Sequence, residues 1–284
     1  MAVVLDGIAY GLQLALLAVG LTMIYGLGGV LNLAHGQFAV VTAISAALLM
    51  GNGMPTLPAV ILGVLAGAVL ALVIDGSIMR PVYRLHGENR VLLSLLITIG
   101  VAFVIDGLLI YNYPFTALNL GVSGPAISLL GVPMRRGSLA ASLLALVALA
   151  VLIVFLRYTR RGKAVRSIIE DEEGAMLCGI NPSRVRTAVF ALSGGLAGIA
   201  AVAEGMTSSL SATDGLNLTI LALIVTVVGG LGSVAGALLA GLLLGIVYSL
   251  ATFYIGAYVT FIILLLAALV TILVRPSGLL GRGA

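Results

Sequence analysis

Between its sparse charges this chain runs apolar again and again, over about nine stretches: 4–30, 37–50, 58–79, 91–112, 139–156, 187–210, 216–228, 234–251 and 256–274. A helix needs about 20 apolar residues to cross the ~30 Å hydrocarbon core of a bilayer, and most of these stretches reach that length. The runs are continuous and lack the period-two alternation of barrel strands, so the spacing predicts an all-α, polytopic transmembrane helical bundle. Only 8% of residues are charged and 61% are hydrophobic, against about 25% charged in soluble domains. Mean hydropathy is +1.26. The whole chain, 1–284, reads as one transmembrane domain in which some helices are discontinuous. The stretch 216–251, broken only by Gly229, Gly230, Gly232 and Ser233, reads either as two short crossings or as one crossing plus a re-entrant piece.

Basic residues orient the bundle. No lysine or arginine precedes Arg80, so the first apolar run lacks the basic region of a cleaved signal peptide and is expected to stay as a span. Arg80, Arg84 and Arg90 share one loop, and Arg157, Arg160, Arg161, Lys163, Arg166, Arg184 and Arg186 share another. Both are expected to be cytoplasmic. Arg275 and Arg282 then put the carboxy terminus inside, and the amino terminus lies outside. Arg135 and Arg136 fall on the opposite side, in an external loop over 113–138 with Pro114, Pro125 and Pro133 that reads as a lid or docking surface. The net charge of +4 thus reports topology and is no nucleic-acid footprint. Small-xxx-small pairs at Gly7/Gly11, Gly63/Gly67, Gly194/Gly198, Gly232/Gly236 and Gly241/Gly245 predict close helix crossings. The lone Cys178 excludes an internal disulfide and reads as a bystander.

Polar groups inside apolar runs are costly and raise functional questions. The stretch LNLAHGQF at 31–38 packs Asn32, His35 and Gln37 behind a helix expected to break at Gly26, Gly28 and Gly29. These residues either knot the backbone near the cytoplasmic surface or face a transport pathway. His35 and His86 are too few for a zinc site, and no metal or cofactor is expected. Asp106 and Glu204 lie toward the outer halves of their segments, where each either meets a substrate ammonium or bonds a neighbouring helix. Asp75 is expected to pair with Arg80.

The loop 157–186 holds seven of the 14 basic and four of the ten acidic residues, enough to predict an aqueous amphipathic helix, over KAVRSIIEDEEGAMLCGINPSRV, that invites a partner. Within it EGAMLCG, 173–179, resembles the E-A-A-x-x-x-G loop of permease subunits in bacterial ATP-binding-cassette importers, with Glu173, Ala175 and Gly179 on matching positions and Gly174 replacing the first Ala. GLTMIYGLGGVLNLAHGQF and VVGGLGSVAGALLAGLLLG are similar to an early and a late glycine-rich block of the branched-chain amino acid permeases. The resemblance covers roughly residues 10–275. It implies a coupling helix presenting Glu173, Ala175, Met176 and Gly179 to an ATPase. It also implies a pathway or gate near Gly28, Gly29, Asn32, His35, Gln37, Asp106, Glu204, Gly229 and Gly230.

No phosphate-binding G-x-x-x-x-G-K-[ST] loop is present, since Gly162 and Lys163 are followed by Ala164 without the upstream glycine. The chain is therefore expected to be non-catalytic, with ATP hydrolysed by two cytoplasmic ATPase subunits. A second homologous permease subunit and an external substrate-binding protein complete the implied assembly in the inner membrane. Relatives carry branched-chain amino acids, urea, short amides or aromatic acids. The competing reading is an autonomous secondary transporter or channel with Asp106 or Glu204 as an ion relay, which leaves the 157–186 loop without a purpose. An intramembrane enzyme lacks any Ser/His, paired-Asp or H-E-x-x-H arrangement.

Overall fold

Each apolar stretch forms a helix in the computed structural model, which describes residues 2–85, 87–122, 127–129 and 132–281; His86, Pro125 and Arg282 lie outside the described residues. In chain order the helices are α1 (Ala2–Gly28), α2 (His35–Gly51), α3 (Thr56–Ile74, prolonged by a wide turn over Asp75–Met79) and α4 (Gly87–Asn112). They continue with α5 (Arg136–Tyr158), α6 (Arg160–Glu170), α7 (Glu172–Leu177), α8 (Pro182–Thr207), α9 (Gly215–Gly229), α10 (Val234–Tyr254) and α11 (Ala257–Val274). Eight of these are long and apolar enough to cross a membrane, α9 together with the turn that precedes it, and α2 is shorter at 17 residues. The stretch 216–251 is two helices, α9 and α10, folded back on each other through Gly230–Ser233.

α1 is the central post, with 83% of its apolar window buried. It runs antiparallel to α10: Gly7 faces Ile246, Gly11 faces Leu242 and Gly26 faces Gly232. A methyl group on Gly11 would stand 2.9 Å from the Leu242 Cα, so these backbones pass as closely as the small-residue spacing implies. In a bilayer, where lipid is as apolar as leucine, van der Waals contact of this kind supplies the attraction between helices. A second close crossing gathers α2, α3 and α8, where Gly67 and Gly198 both meet Thr42 and Gly194 meets Ala71. By contrast α3, α4 and α11 carry exposed Leu57, Leu96 and Leu273, surface expected to meet lipid or another subunit.

Residues 117–120, within the 113–138 loop, are tied to the bundle. Strand β1 (Ala117–Leu118) pairs antiparallel with β4 (Leu210–Ser211), after α8, while β2 (Ile127–Leu129) pairs with β3 (Val132–Met134). The Leu120 amide donates to the Gly205 carbonyl at 2.7 Å.

Two expectations need correction. The segment KAVRSIIEDEEGAMLCGINPSRV is not one helix. It breaks at Asp171, whose extended backbone (φ −156°) ends α6 and starts α7. Asp75 does not pair with Arg80 either: it accepts hydrogen bonds from Tyr83 Oη at 2.9 Å and from Thr187 Oγ1. A hydroxyl pair satisfies a buried carboxylate at the end of α3 without drawing a second charge out of water.

Candidate functional site

α1 stops at Gly28, because Gly29 takes φ +58°, a left-handed conformation that ends helices at low cost for glycine. The chain then turns back into the bundle. His35 Nε2 lies 2.9 Å from the carbonyl of Leu17, eleven residues up α1 from Gly28, or about 16 Å at 1.5 Å per residue. Residues 30–34 therefore climb beside α1 in non-helical form, and α2 begins at mid-depth. Its shortness follows from that start. Gly26 remains inside α1, so the break is narrower than the glycine pattern suggested.

An unwound segment inside a membrane must have its backbone groups satisfied by protein. Hydroxyls from two other helices do most of this: Leu31 N donates to Ser94 Oγ (3.2 Å), Leu33 N to Thr98 Oγ1 (2.9 Å) and Gly36 N to Thr219 Oγ1 (2.8 Å). Asn32 Oδ1 accepts from Ala34 N at 3.0 Å. Two arginines take the last carbonyls of α1, Arg90 Nη1 bonding Gly28 O at 2.9 Å and Arg186 Nε bonding Leu27 O at 3.3 Å.

His35 Nε2 must donate to the Leu17 carbonyl, and His35 Nδ1 lies 3.3 Å from Ser193 Oγ. Asn32, His35 and Gln37 are 1%, 0% and 0% exposed. All three are packed inside the bundle, and the segment that carries them reaches the level of Leu17 on α1. Not all of it is satisfied. The Gln37 amide lies against Gly215 and beside the Asp106 carboxyl on α4, and Gln37 Nε2, Gln37 Oε1, Asp106 Oδ1 and Asn32 Nδ2 have no hydrogen-bond partner among the described residues.

Gly229 and Gly230 belong to a different junction. Gly230 (φ +104°) turns the chain into α10, and the segment after α11 seals it through Leu279 N to Val228 O (2.9 Å) and Leu280 N to Gly229 O (3.0 Å). Beside this turn a cavity of about 590 Å³ opens between Tyr25, Gly29, Val165, Ile169 and Leu231.

α7 touches the bundle through Ala175, which is buried, and turns Glu173, Met176 (49% exposed), Leu177 (91% exposed) and Gly179 outward. Its neighbour Glu172 forms an ion pair with Arg186 Nη2. Since the same guanidinium reaches Leu27 O, one side chain on α8 joins α7 to the broken end of α1. Arg186 also stacks over the Tyr83 ring at 5.0 Å. Burial, with the Asp75 carboxylate beside it, pushes the Tyr83 phenol well up, so it stays a protonated donor.

The structure thus brings Gly28, Gly29, Asn32, His35, Gln37 and Asp106 into one connected region and Glu173, Met176 and Gly179 onto one exposed surface. Glu204 stands apart from both, near the other end of α8, where it accepts from Ser208 Oγ. Ser94, Thr98, Thr219, Arg90 and Arg186 were not singled out from sequence. Single hydroxyls in apolar runs carry no pattern, and the arginines read only as topology markers.

Comparison with known proteins places the chain in a family. The family described as "Branched-chain amino acid transport system / permease component" matches residues 3–274. The high-affinity branched-chain amino acid transport system permease protein LivH of Escherichia coli (strain K12) is 30% identical, over 98% of this chain and 94% of its own length. The permease protein LivM of the same kind of system in Salmonella typhimurium is 29% identical over 93% of this chain and 67% of its own. Among solved structures, PsaBC from Streptococcus pneumoniae in complex with Fab is similar in fold, with TM-score 0.53 and 11% identity over 96% of this chain and 91% of that one.

Proposed function

We propose, from the premise that this chain belongs to the branched-chain amino acid transport permease family, that it is the membrane-spanning subunit of an ATP-driven importer of branched-chain amino acids or related small amides. In this reading it pairs with a second, homologous permease, as the separate LivH and LivM relatives suggest. Two cytoplasmic ATPase subunits and an external binding protein complete the assembly. α7 is the coupling helix, with Glu173, Met176 and Gly179 on the face offered to the ATPase. The region from Gly28 to Gln37, with Asp106, forms the moving part of the pathway.

The observation that carries this reading is the Glu172–Arg186–Leu27 linkage, a charge-assisted connection from α7 to the point where α1 unwinds. Displacement of α7 by a partner would pull on the Arg186 guanidinium and release the Leu27 carbonyl, loosening the start of the unwound segment. A buried network of this type has discrete arrangements rather than a continuous range, as a gate requires.

The test is uptake of radiolabelled leucine, isoleucine and valine into vesicles holding this chain with its co-encoded permease, ATPase and binding proteins. Uptake is expected to need ATP, the ATPase chains and the binding protein together. Uptake that persists without the ATPase chains and follows an imposed proton gradient would instead establish the secondary-carrier reading.

A further inference from the structure

At the end of the bundle remote from α6 and α7, a cavity of about 430 Å³ opens between α1, α10 and the start of α5, within the ~300–1,000 Å³ range of small-molecule sites. Its wall carries one acid, Asp6, and one base, Arg135. Among the described residues neither takes part in an ion pair or a side-chain hydrogen bond. Opposite charges that share a cavity without pairing leave each free to meet a ligand.

The floor points the same way. Gln13 lies on the buried face of α1 and is 5% exposed, yet its Oε1 accepts no hydrogen bond among the described residues. Its Nε2 makes only a 3.5 Å bond to Ala9 O. An unmade hydrogen bond at such a site is destabilising, so this acceptor, enclosed just under the cavity floor, would be satisfied by a donor that settles on that floor once the Gln13 side chain turns toward it. Beneath it, a void of about 20 Å³ shares Tyr10 and Gln13 with the cavity and extends to Glu204. The Tyr10 and Tyr248 rings stack at 4.4 Å, tilted by 31°, and Phe253 adds a further apolar face.

We propose that this cavity is a solute site within the single subunit that holds an α-amino acid as its zwitterion. The carboxylate meets the Arg135 guanidinium. The ammonium group is received by Gln13 Oε1 and Asp6, with Glu204 as the next acceptor below. The apolar side chain lies on Tyr248 and Phe253. An acid and an amide on the same cavity wall as one guanidinium complement a ligand that carries several N–H donors and one carboxylate, whereas a neutral amide would leave both charges unmatched. This rests on the importer reading above for its substrate class, and it adds a place on this chain where the substrate pauses.

The test replaces Ser138, on the cavity wall, with cysteine in a Cys178→Ser background, using the full chain in nanodiscs. The rate of modification by an impermeant methanethiosulfonate is then measured. L-leucine should slow the reaction about tenfold, as occupancy near 90% would. 3-Methylbutylamine and 4-methylpentanoate, which lack the carboxylate and the amine respectively, should leave it unchanged. Arg135→Gln, at an exposed position, and Gln13→Leu, an apolar replacement in an apolar setting, should each abolish protection while the chain stays monodisperse. Protection by the amine alone would make this a cation site and overturn the proposal. Absence of protection by leucine would overturn it too, as would protection that survives both substitutions. The assay needs neither ATP nor partner chains, so a failure here is separate from a failure of uptake in the assembled vesicles.

Discussion

Gly36 and Gly100 are both helical glycines in apolar surroundings, and they make opposite demands on side-chain volume. A methyl group on Gly36 would press into the Gly215 carbonyl and stand 2.9 Å from Thr219 N, where α2 crosses α9; one on Gly100 would meet nothing within 4 Å. Gly36→Ala should therefore cost about 1–3 kcal/mol through overpacking. Gly100→Ala should gain up to about 1 kcal/mol, since alanine is the better helix former. Thermal midpoints in detergent check both, and equal shifts would contradict the crossing. At this scale the sequence was half legible. Asn32, His35 and Gln37 stand out because they are polar in an apolar context, but their counterparts Ser94, Thr98 and Thr219 do not. A serine or threonine in a helix can bond its own i−4 carbonyl, as Thr98 and Thr219 also do here, so nothing in the string reveals that it serves another segment as well.

The elements were more legible than their connections. Helix length and composition identify every long helix, since lipid demands continuous apolar surface and breaks fall at Gly, Pro or charge. The depth at which α2 starts was not readable: after Gly29 the chain's direction depends on hydroxyls from α4 and α9, more than 60 and 180 residues away. The split of α6 from α7 was hidden for a related reason, because Asp171 extends the backbone between two segments that each pack separately. That split yields a prediction. Glu173→Lys and Leu177→Glu alter only the outward face of α7, so both should keep the wild-type thermal midpoint while ATP-driven uptake falls by about tenfold or more, the effect of losing about 1.4 kcal/mol of contact. Arg186→Ala removes a partly buried charge and strands Glu172 and Leu27 O, so it should lower uptake and also cost about 1–3 kcal/mol of stability. Loss of stability in the first pair, or its retention in the third variant, would mean that α7 and Arg186 do not divide the work in this way.

For the molecule as a whole, the sidedness of the bundle depends on how residues 29–51 are counted. If the unwound segment and α2 together make one crossing, then α1, this composite, α3, α4, α5, α8, α9, α10 and α11 make nine, an odd number that puts the two termini on opposite sides. If the composite instead dipped in and returned, the count would be even, and both termini would lie on the side of the two arginine-rich loops, opposite Gly51. The geometry favours the first count, since His35 already stands near Leu17 and α2 continues for 17 residues away from Gly28, about 25 Å of further rise. Exposed positions separate the alternatives: Asp6 near the start of α1, Asn52 after α2, and Lys163 on α6. In a Cys178→Ser background, Asp6→Cys and Asn52→Cys should both react with an impermeant maleimide on intact cells, and Lys163→Cys only after the membrane is opened. The positive-inside rule gives the absolute side, with Arg160, Arg161 and Arg166 holding α6 in the cytoplasm. Reaction of Asp6→Cys in step with Lys163→Cys would show that α2 turns back. Reaction of Lys163→Cys on intact cells would invert the whole bundle, placing α7 outside, beyond the reach of any cytoplasmic ATPase.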